Sequence, residues 1–311
     1  MASSKRTEFL EKEGNLMKIG ASMYSYNRLI RAGEADKDRA VVLTREIGLD
    51  AIEMLDMYWS CDPDEIPSAD EVADFAKHVA DNGIDICCYT LHTNFGAEDP
   101  EVVRKTVERA KRQIEVGSAL GVKTMRVESC YGPAKAEARD VDPAPYEQRV
   151  VEATKEVVKV AEQAGIRLGL ENHGRLIATS RQMVSVIERV GSPNYGATID
   201  IGNFIVVDED SLAATRALAP HAVHIHAKDF YMQPGPESPG EGWGRCESGR
   251  YYQGCVVGEG VIPVKECLAV LAENGYDGYL AIEYEGKTIE PVEGVTRSAA
   301  NLRRMLDELG A

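Results

Sequence analysis

The chain of 311 residues contains no apolar run approaching the roughly 20 residues needed to span a bilayer, which excludes a helical membrane protein. Its seven cysteines form no C-x-x-C pair, so neither a thioredoxin-type redox centre nor a zinc ribbon is expected. The adjacent Cys87 and Cys88 lie in an apolar run that would send them to opposite faces, and all seven read as reduced packing residues. Basic charge is scarce as well: 35 Lys and Arg stand against 51 Asp and Glu, a net charge of −16. Nucleic-acid binders usually display a basic stripe, so the partner is expected to be a small molecule. No Gly-x-Gly-x-x-Gly follows the first apolar run, and no Gly-x-x-x-x-Gly-Lys occurs, which removes the main support for a dinucleotide or nucleotide site.

Residues 1–16 are charged and lack the apolar stretch of a signal peptide, so they read as a polar arm, and a cytoplasmic location is expected. Beyond them, 44% hydrophobic and 28% charged residues suit a soluble globular chain. Short β-rich apolar runs alternate with segments of helical period almost to the end. The strands are expected at Lys18–Met23, Ala51–Leu55, Asp85–Leu91, Thr124–Glu128, Arg167–Glu171, Gly196–Ile201, Ala222–Ala227 and Gly278–Glu283. Helices are expected near 36–48, 68–82, 99–120, 145–164, 179–190, 209–219, 263–274 and 293–309. Gly83, Gly121, Gly165 and Gly275 each follow a periodic segment where a left-handed cap is wanted, and Asp99-Pro100 suits a helix start. Parallel strands joined by helices must be covered on both sides, and eight such units favour closure into a single (β/α)8 barrel over 17–311. One stretch breaks the rhythm. Residues 230–262 are rich in Gly, Pro and polar side chains, and a loop of that length is expected to act as a lid over the C-terminal face.

The strand candidates stop on chemically capable groups. Glu53 lies in strand two, His92 follows strand three, Glu128 ends strand four and Glu171 ends strand five. Asp200, His226 and Glu283 stand at the ends of strands six, seven and eight. Barrel enzymes place their chemistry at this end. Glu171, Asp200, His226 and Glu283 come from consecutive strands, and three carboxylates converging with an imidazole repel one another unless a cation sits between them. Oxygen-rich donors with one nitrogen and no thiolate point to Mn²⁺ first, with Mg²⁺, Co²⁺ and Zn²⁺ as alternatives; a buried charge network without metal is the competing arrangement. Glu53 and His92 are candidate contacts to substrate hydroxyls. His224, His226 and Lys228 share a strand face, with His224 expected in the packing and Lys228 either polarising a substrate oxygen or pairing with a carboxylate. His173, two residues after Glu171, either meets substrate or orients a ligand. Arg126 and Glu128 are expected to form an internal ion pair, and Trp243 and Tyr251 in the long loop are candidates to stack on a sugar ring.

The segments LENH at 170–173, TIDIGN at 198–203, VHIHAKD at 223–229, VGEG at 257–260 and GYDGYLAIEYEG at 275–286 resemble the signature segments of the xylose isomerase-like TIM barrels, in particular the sugar phosphate isomerase/epimerase group. The resemblance runs from about Met17 to the C-terminus with the segments in order. It implies one divalent ion held by Glu171, Asp200, His226 and Glu283, with Glu171 and Glu283 moving the proton on opposite faces of a sugar. The implied activity is isomerisation or epimerisation of a small sugar through an enediolate, formed by proton abstraction next to a carbonyl. A metal-dependent lyase or dehydratase acting on a 3-keto-glycoside or inosose is the alternative, because an enediolate with a neighbouring leaving group eliminates it. A catalytically silent barrel that binds a sugar or a partner is the non-enzymatic alternative. Ketose 3-epimerases carry His and Arg, both touching substrate, where this chain has Asn203 and Met232, so Asn203 is a further candidate at the substrate. The resemblance leaves a homo-oligomer open, and the six histidines and the acidity argue against the DNA-binding relative, endonuclease IV, with its three-zinc cluster.

Overall fold

The computed structural model describes residues 17–62, 65–131, 140–233, 235 and 237–310, so the polar arm expected at 1–16 lies outside the described residues. Eight parallel strands form: β1 (Lys18–Ser22), β2 (Ala51–Leu55), β3 (Asp85–Thr90), β4 (Thr124–Val127), β5 (Arg167–Glu171), β6 (Tyr195–Asp200), β7 (Ala222–Ala227) and, after a three-stranded insertion, β11 (Tyr279–Ile282). They close in the order β1-β11-β7-β6-β5-β4-β3-β2. The barrel expected from the eight-unit repeat is therefore present, each strand within two residues of its expected bounds.

The strands are apolar on two sides for different reasons. Ile52, Met54, Met125, Leu168, Ile199, Ile225 and Leu280 belong to the main core, shared with the surrounding helices. Residues alternating with them face the axis, and Ala51, Cys87 and Cys88 make a small separate cluster where β2 and β3 shift register, so the two adjacent cysteines share it instead of parting to opposite faces. Gly169 of β5 sits opposite Gly196 of β6, and a side chain at Gly169 would strike the Thr198 hydroxyl. Cross-strand closeness at this level leaves the bulky polar side chains to the C-terminal end.

Helix boundaries follow local capping chemistry. Asp36, Ser68, Asp99, Thr179 and Asp210 each accept a hydrogen bond from a first-turn N–H, and Thr179 with Gln182 completes a reciprocal box. The four glycines expected to stop helices take positive φ, from 66° at Gly165 to 77° at Gly275. Among the described residues, no helix is long and apolar enough to cross a membrane.

The insertion at 230–262 departs from the expected loop. It folds into an antiparallel sheet of β8 (Asp229–Gln233), β9 (Gly244–Arg245) and β10 (Tyr251–Cys255), in the order β8-β10-β9. Composition concealed this, because glycines and polar residues at the turns outweighed two five-residue strands. Asp229, the first residue of β8, anchors both ends of the insertion. Its carboxylate accepts N–H groups from Phe230 (2.8 Å), Gly258 (2.9 Å), Gly260 (2.9 Å) and Ile262 (3.0 Å). The tip is tied to the barrel as well: Arg175 Nη1 lies 2.6 Å from Glu247 Oε1, and Asp208 Oδ1 accepts from Ser248 Oγ at 2.6 Å and Arg250 Nη2 at 2.9 Å.

Removing the Asp229 carboxylate leaves several N–H groups without an acceptor, each costing about 1–3 kcal/mol where buried. Asp229→Ala should lower the urea midpoint and open residues 230–262 to limited proteolysis. A midpoint and cleavage pattern matching wild type would refute the anchoring role.

Candidate metal centre

Strand ends bring Glu171 (β5), Asp200 (β6), His226 (β7) and Glu283, the residue after β11, to one place. Each offers a ligand-type atom, and these atoms lie within 4.8 Å of one another. From His226 Nδ1 the distances are 2.6 Å to Glu171 Oε1, 3.9 Å to Glu283 Oε2 and 4.0 Å to Asp200 Oδ2. All four residues are buried. Buried polar atoms are normally hydrogen-bonded, yet Glu171 Oε1, Asp200 Oδ2 and His226 Nδ1 make no hydrogen bond of good geometry: the first and last face each other at 2.6 Å, and Asp200 Oδ2 has the Lys228 ammonium beside it. Three poorly satisfied ligand atoms aimed at one point, drawn from carboxylates and an imidazole with no thiolate, fit a divalent ion that prefers oxygen.

The other atoms of the same side chains are tied down. Asp200 Oδ1 accepts from Gly202 N (2.9 Å) and Asn203 N (3.0 Å). Asn172 makes a reciprocal pair with the Asp200 backbone, accepting from its N–H and donating to its carbonyl, both at 2.9 Å. Glu171 Oε2 is bound by Arg126, which also reaches Glu128 Oε1 at 3.1 Å. On the far side of the His226 ring, Nε2 lies 2.9 Å from Glu53 Oε2, leaving Nδ1 to face the cluster. This pairing fixes the ring plane.

Electrostatics follow from packing so many charges together. Burial pushes Asp200 up, to about 6, with Glu283 and Glu171 adding to the shift and Lys228 opposing it. Against burial, Arg126 and then His226 hold Glu171 well below the usual carboxylate range, and Lys228 with His226 lower Glu283. Burial would depress Lys228, but Asp200, Glu283 and Glu285 raise it well above its ordinary value. Its ammonium touches Glu283 and lies 3.1 Å from Asp200 Oδ2, 3.3 Å from Glu285 Oε1 and 3.3 Å from Asn203 Oδ1.

The residues expected at the substrate are placed unequally. Lys228 and Asn203 adjoin the cluster. His173 is exposed at the mouth, its Nδ1 2.9 Å from Glu128 Oε1. His92 is half-buried, with Nδ1 2.6 Å from Asp56 Oδ1. Glu53 is different. It is fully buried beneath His224 and His226 and bonded to Thr90, so its carboxylate supports the imidazoles and does not reach the open end. His224 packs edge to face on His226, with ring centroids 5.3 Å apart. Sequence reasoning passed over Asp56, which holds both His92 and Arg109, and Tyr131, whose hydroxyl donates to Glu128 Oε2 at 2.9 Å. Asp56 directly follows β2, so the same strand-end criterion would have found it.

Comparison with known proteins agrees with the architecture. The family described as xylose isomerase-like TIM barrel matches residues 41–305. The L-ribulose-5-phosphate 3-epimerase UlaE of Salmonella heidelberg (strain SL476) is 24% identical over 281 residues, covering 85% of this chain and 87% of its own. A solved D-psicose 3-epimerase aligns with a TM-score of 0.71 at 20% identity, over 93% of this chain and 99% of that one. A xylose isomerase-like TIM barrel protein from Mycobacterium smegmatis in complex with magnesium aligns with a TM-score of 0.72 at 20% identity, over 95% and 98%. At these identities the solved structures bear on the fold alone.

Glu128 gives a pH test of the mouth. Burial alone would raise it, but Arg126, His173 and His92 hold it at about 2. A depressed carboxylate adds stability that is complete above its unfolded pKa and is lost as pH falls through the folded one, here between about 4.5 and 2. Glu128→Gln should therefore flatten the acid limb of stability against pH in that window by a few kcal/mol. An unchanged limb would contradict the assignment.

Proposed function

Because the chain belongs to the xylose isomerase-like TIM barrel family, we propose that it is a divalent-metal-dependent isomerase or epimerase acting on a small sugar. The observation that carries the reading is the convergence of Glu171, Asp200, His226 and Glu283, three of whose buried ligand atoms make no hydrogen bond of good geometry. The sugar epimerases among its relatives support the reaction class. Those four residues would hold the ion, Mn²⁺ before Mg²⁺, Co²⁺ or Zn²⁺. When bound, a divalent ion supplies positive charge where the substrate oxygens become negative, which lowers the cost of removing a proton next to a carbonyl.

The chain's own residues supply the rest. Glu171 and Glu283 stand on strands separated by β6 and β7, so a planar enediol between them presents one face to each. Both are held ionised, as a base must be. One removes the proton from carbon; the other, after taking up a proton from solvent, delivers it to the opposite face, and the first releases its acquired proton to solvent to reset the site. Lys228, pinned by Asn203 and Glu285, offers a fixed positive charge to a substrate hydroxyl. Asn203 takes the place of the His that ketose 3-epimerases carry, so it contacts substrate with an amide and does not transfer a proton. His92 and His173, each oriented by a carboxylate, line the mouth and bind hydroxyl groups. The seven free cysteines support a cytoplasmic location.

A lyase or dehydratase acting on a 3-keto-glycoside or inosose is the second reading, and one observation favours it. Lys228 is an ammonium beside the cluster and able to protonate a departing oxygen, where an epimerase needs no such donor.

Protein loaded with Mn²⁺ and incubated in D₂O with free and phosphorylated ketoses should incorporate deuterium beside the carbonyl, followed by NMR. Glu171→Gln and Glu283→Gln should each slow exchange by about 10²–10⁴-fold. Exchange that persists in both variants would remove the proton-transfer assignment, whereas release of water or an alcohol without reversible exchange would select the lyase. Adding metal at about 100 times its Kd should stabilise wild type by roughly 2.7 kcal/mol, and chelator should reverse this. A denaturation midpoint indifferent to every divalent ion would sink the metal centre.

A further inference from the structure

Beside the cluster, the insertion sheet and the segment after β11 border an open cavity of about 340 Å³. Its walls include Trp243, Tyr252, Gln253, Glu285 and Lys287. Glu285 belongs to both places, because its Oε1 lies 3.3 Å from Lys228 Nζ. We propose that this cavity is a subsite for an uncharged, polyhydroxylated ring, so that the substrate is a sugar carrying a second ring. The inference rests on the reading of the barrel mouth as a sugar site.

The cavity is shaped by close backbone approach. A methyl group on Gly254 would lie 2.7 Å from the Glu285 carbonyl carbon, so the hairpin can sit this near only without a side chain there. At Gly242, where φ is 88°, a methyl would come within 2.9 Å of Lys287 Cδ and 3.3 Å of Gln253 Nε2. Tyr252 is held from behind by Phe230, edge to face with centroids 5.0 Å apart. Trp243 is half-buried, which leaves part of its indole accessible. Gln253 is only 9% exposed, yet it borders the cavity.

This combination selects the ligand class. Indole and phenol rings offer flat apolar contact for the C–H face of a ring, and Gln253, Glu285 and Lys287 offer donors and acceptors at its rim. A purely apolar ligand would bury the Gln253 amide without compensation. A phosphate would meet the Glu285 carboxylate, and the cation beside that carboxylate, Lys228, is already shared with Asp200 and Glu283, which leaves Lys287 as the one cation, among the described residues, lining the cavity. A neutral ring with hydroxyl groups satisfies all three polar side chains. Since Glu285 borders both sites, the second ring attaches directly to the reacting sugar.

The chain has two tryptophans, and Trp59 is buried with its indole N–H donated to Tyr89. A ligand-dependent emission change therefore reports Trp243. Isomaltulose, a ketose bearing a glucosyl ring, and methyl glucoside, which has no carbonyl to react, serve as probes, with fructose as the single-ring control. Both probes should change the emission saturably, and Gln253→Leu should weaken their binding about tenfold. Deuterium exchange should favour isomaltulose over fructose by about tenfold in kcat/KM, and Trp243→Ala should erase that preference by lowering the value for isomaltulose. No saturable change with either probe, or a Trp243→Ala protein that keeps the preference, overturns the subsite. Emission changes without exchange of any ketose support the subsite and defeat the epimerase reading instead.

Discussion

Charge kept out of water is the constraint around which this barrel is organised. Glu53, Glu128, Glu171, Asp200 and Glu283 are buried, and among the described residues only two permanent cations, Arg126 and Lys228, are buried with them. Taking an ion out of water costs several kcal/mol unless partners replace the solvent. Each carboxylate is accordingly wired to something: Glu53 to two imidazoles, Glu128 to Arg126, His173 and Tyr131, Glu171 to Arg126, Asp200 to its own turn and to Lys228, and Glu283 to Lys228. The remaining imbalance is negative and is concentrated at the cluster of Glu171, Asp200, His226 and Glu283.

Much of this arrangement is legible in the sequence because a parallel barrel has few degrees of freedom. Strand ends share one face by topology, so a charged residue ending an apolar run is placed without knowing any distance. Glu171, Asp200, His226 and Glu283 are brought together for that reason. Alternation along a strand gives the face but not the depth. Glu53 points to the axis as its strand position requires, but β2 and β3 slip in register between Ile52 and Glu53, and the carboxylate ends below the imidazoles. That bulge has no signal in the local sequence. Asn172 was equally opaque, since a buried amide acquires its role only when the Asp200 backbone passes alongside it.

The insertion taught a different lesson about composition. Its glycines and prolines describe the turns, and the strands between them are too short to outweigh that signal. Tyr251 and Tyr252 illustrate the cost. Either aromatic suits sugar stacking on sequence grounds, but the hairpin register turns Tyr252 toward Phe230 and the cavity. Facing is decided by pairing across strands, which only the folded chain specifies.

The four hydrogen bonds on Asp229 separate two kinds of evolutionary freedom. Both ends of the insertion meet at one side chain, so its attachment to the chain on either side is set at that junction, and Arg175 and Asp208 hold its tip separately. Length and composition of the hairpin can then drift, or be exchanged by recombination, without retuning the eight strands. Selectivity for new compounds becomes modular, with the reacting centre inherited unchanged while its outer wall is replaced.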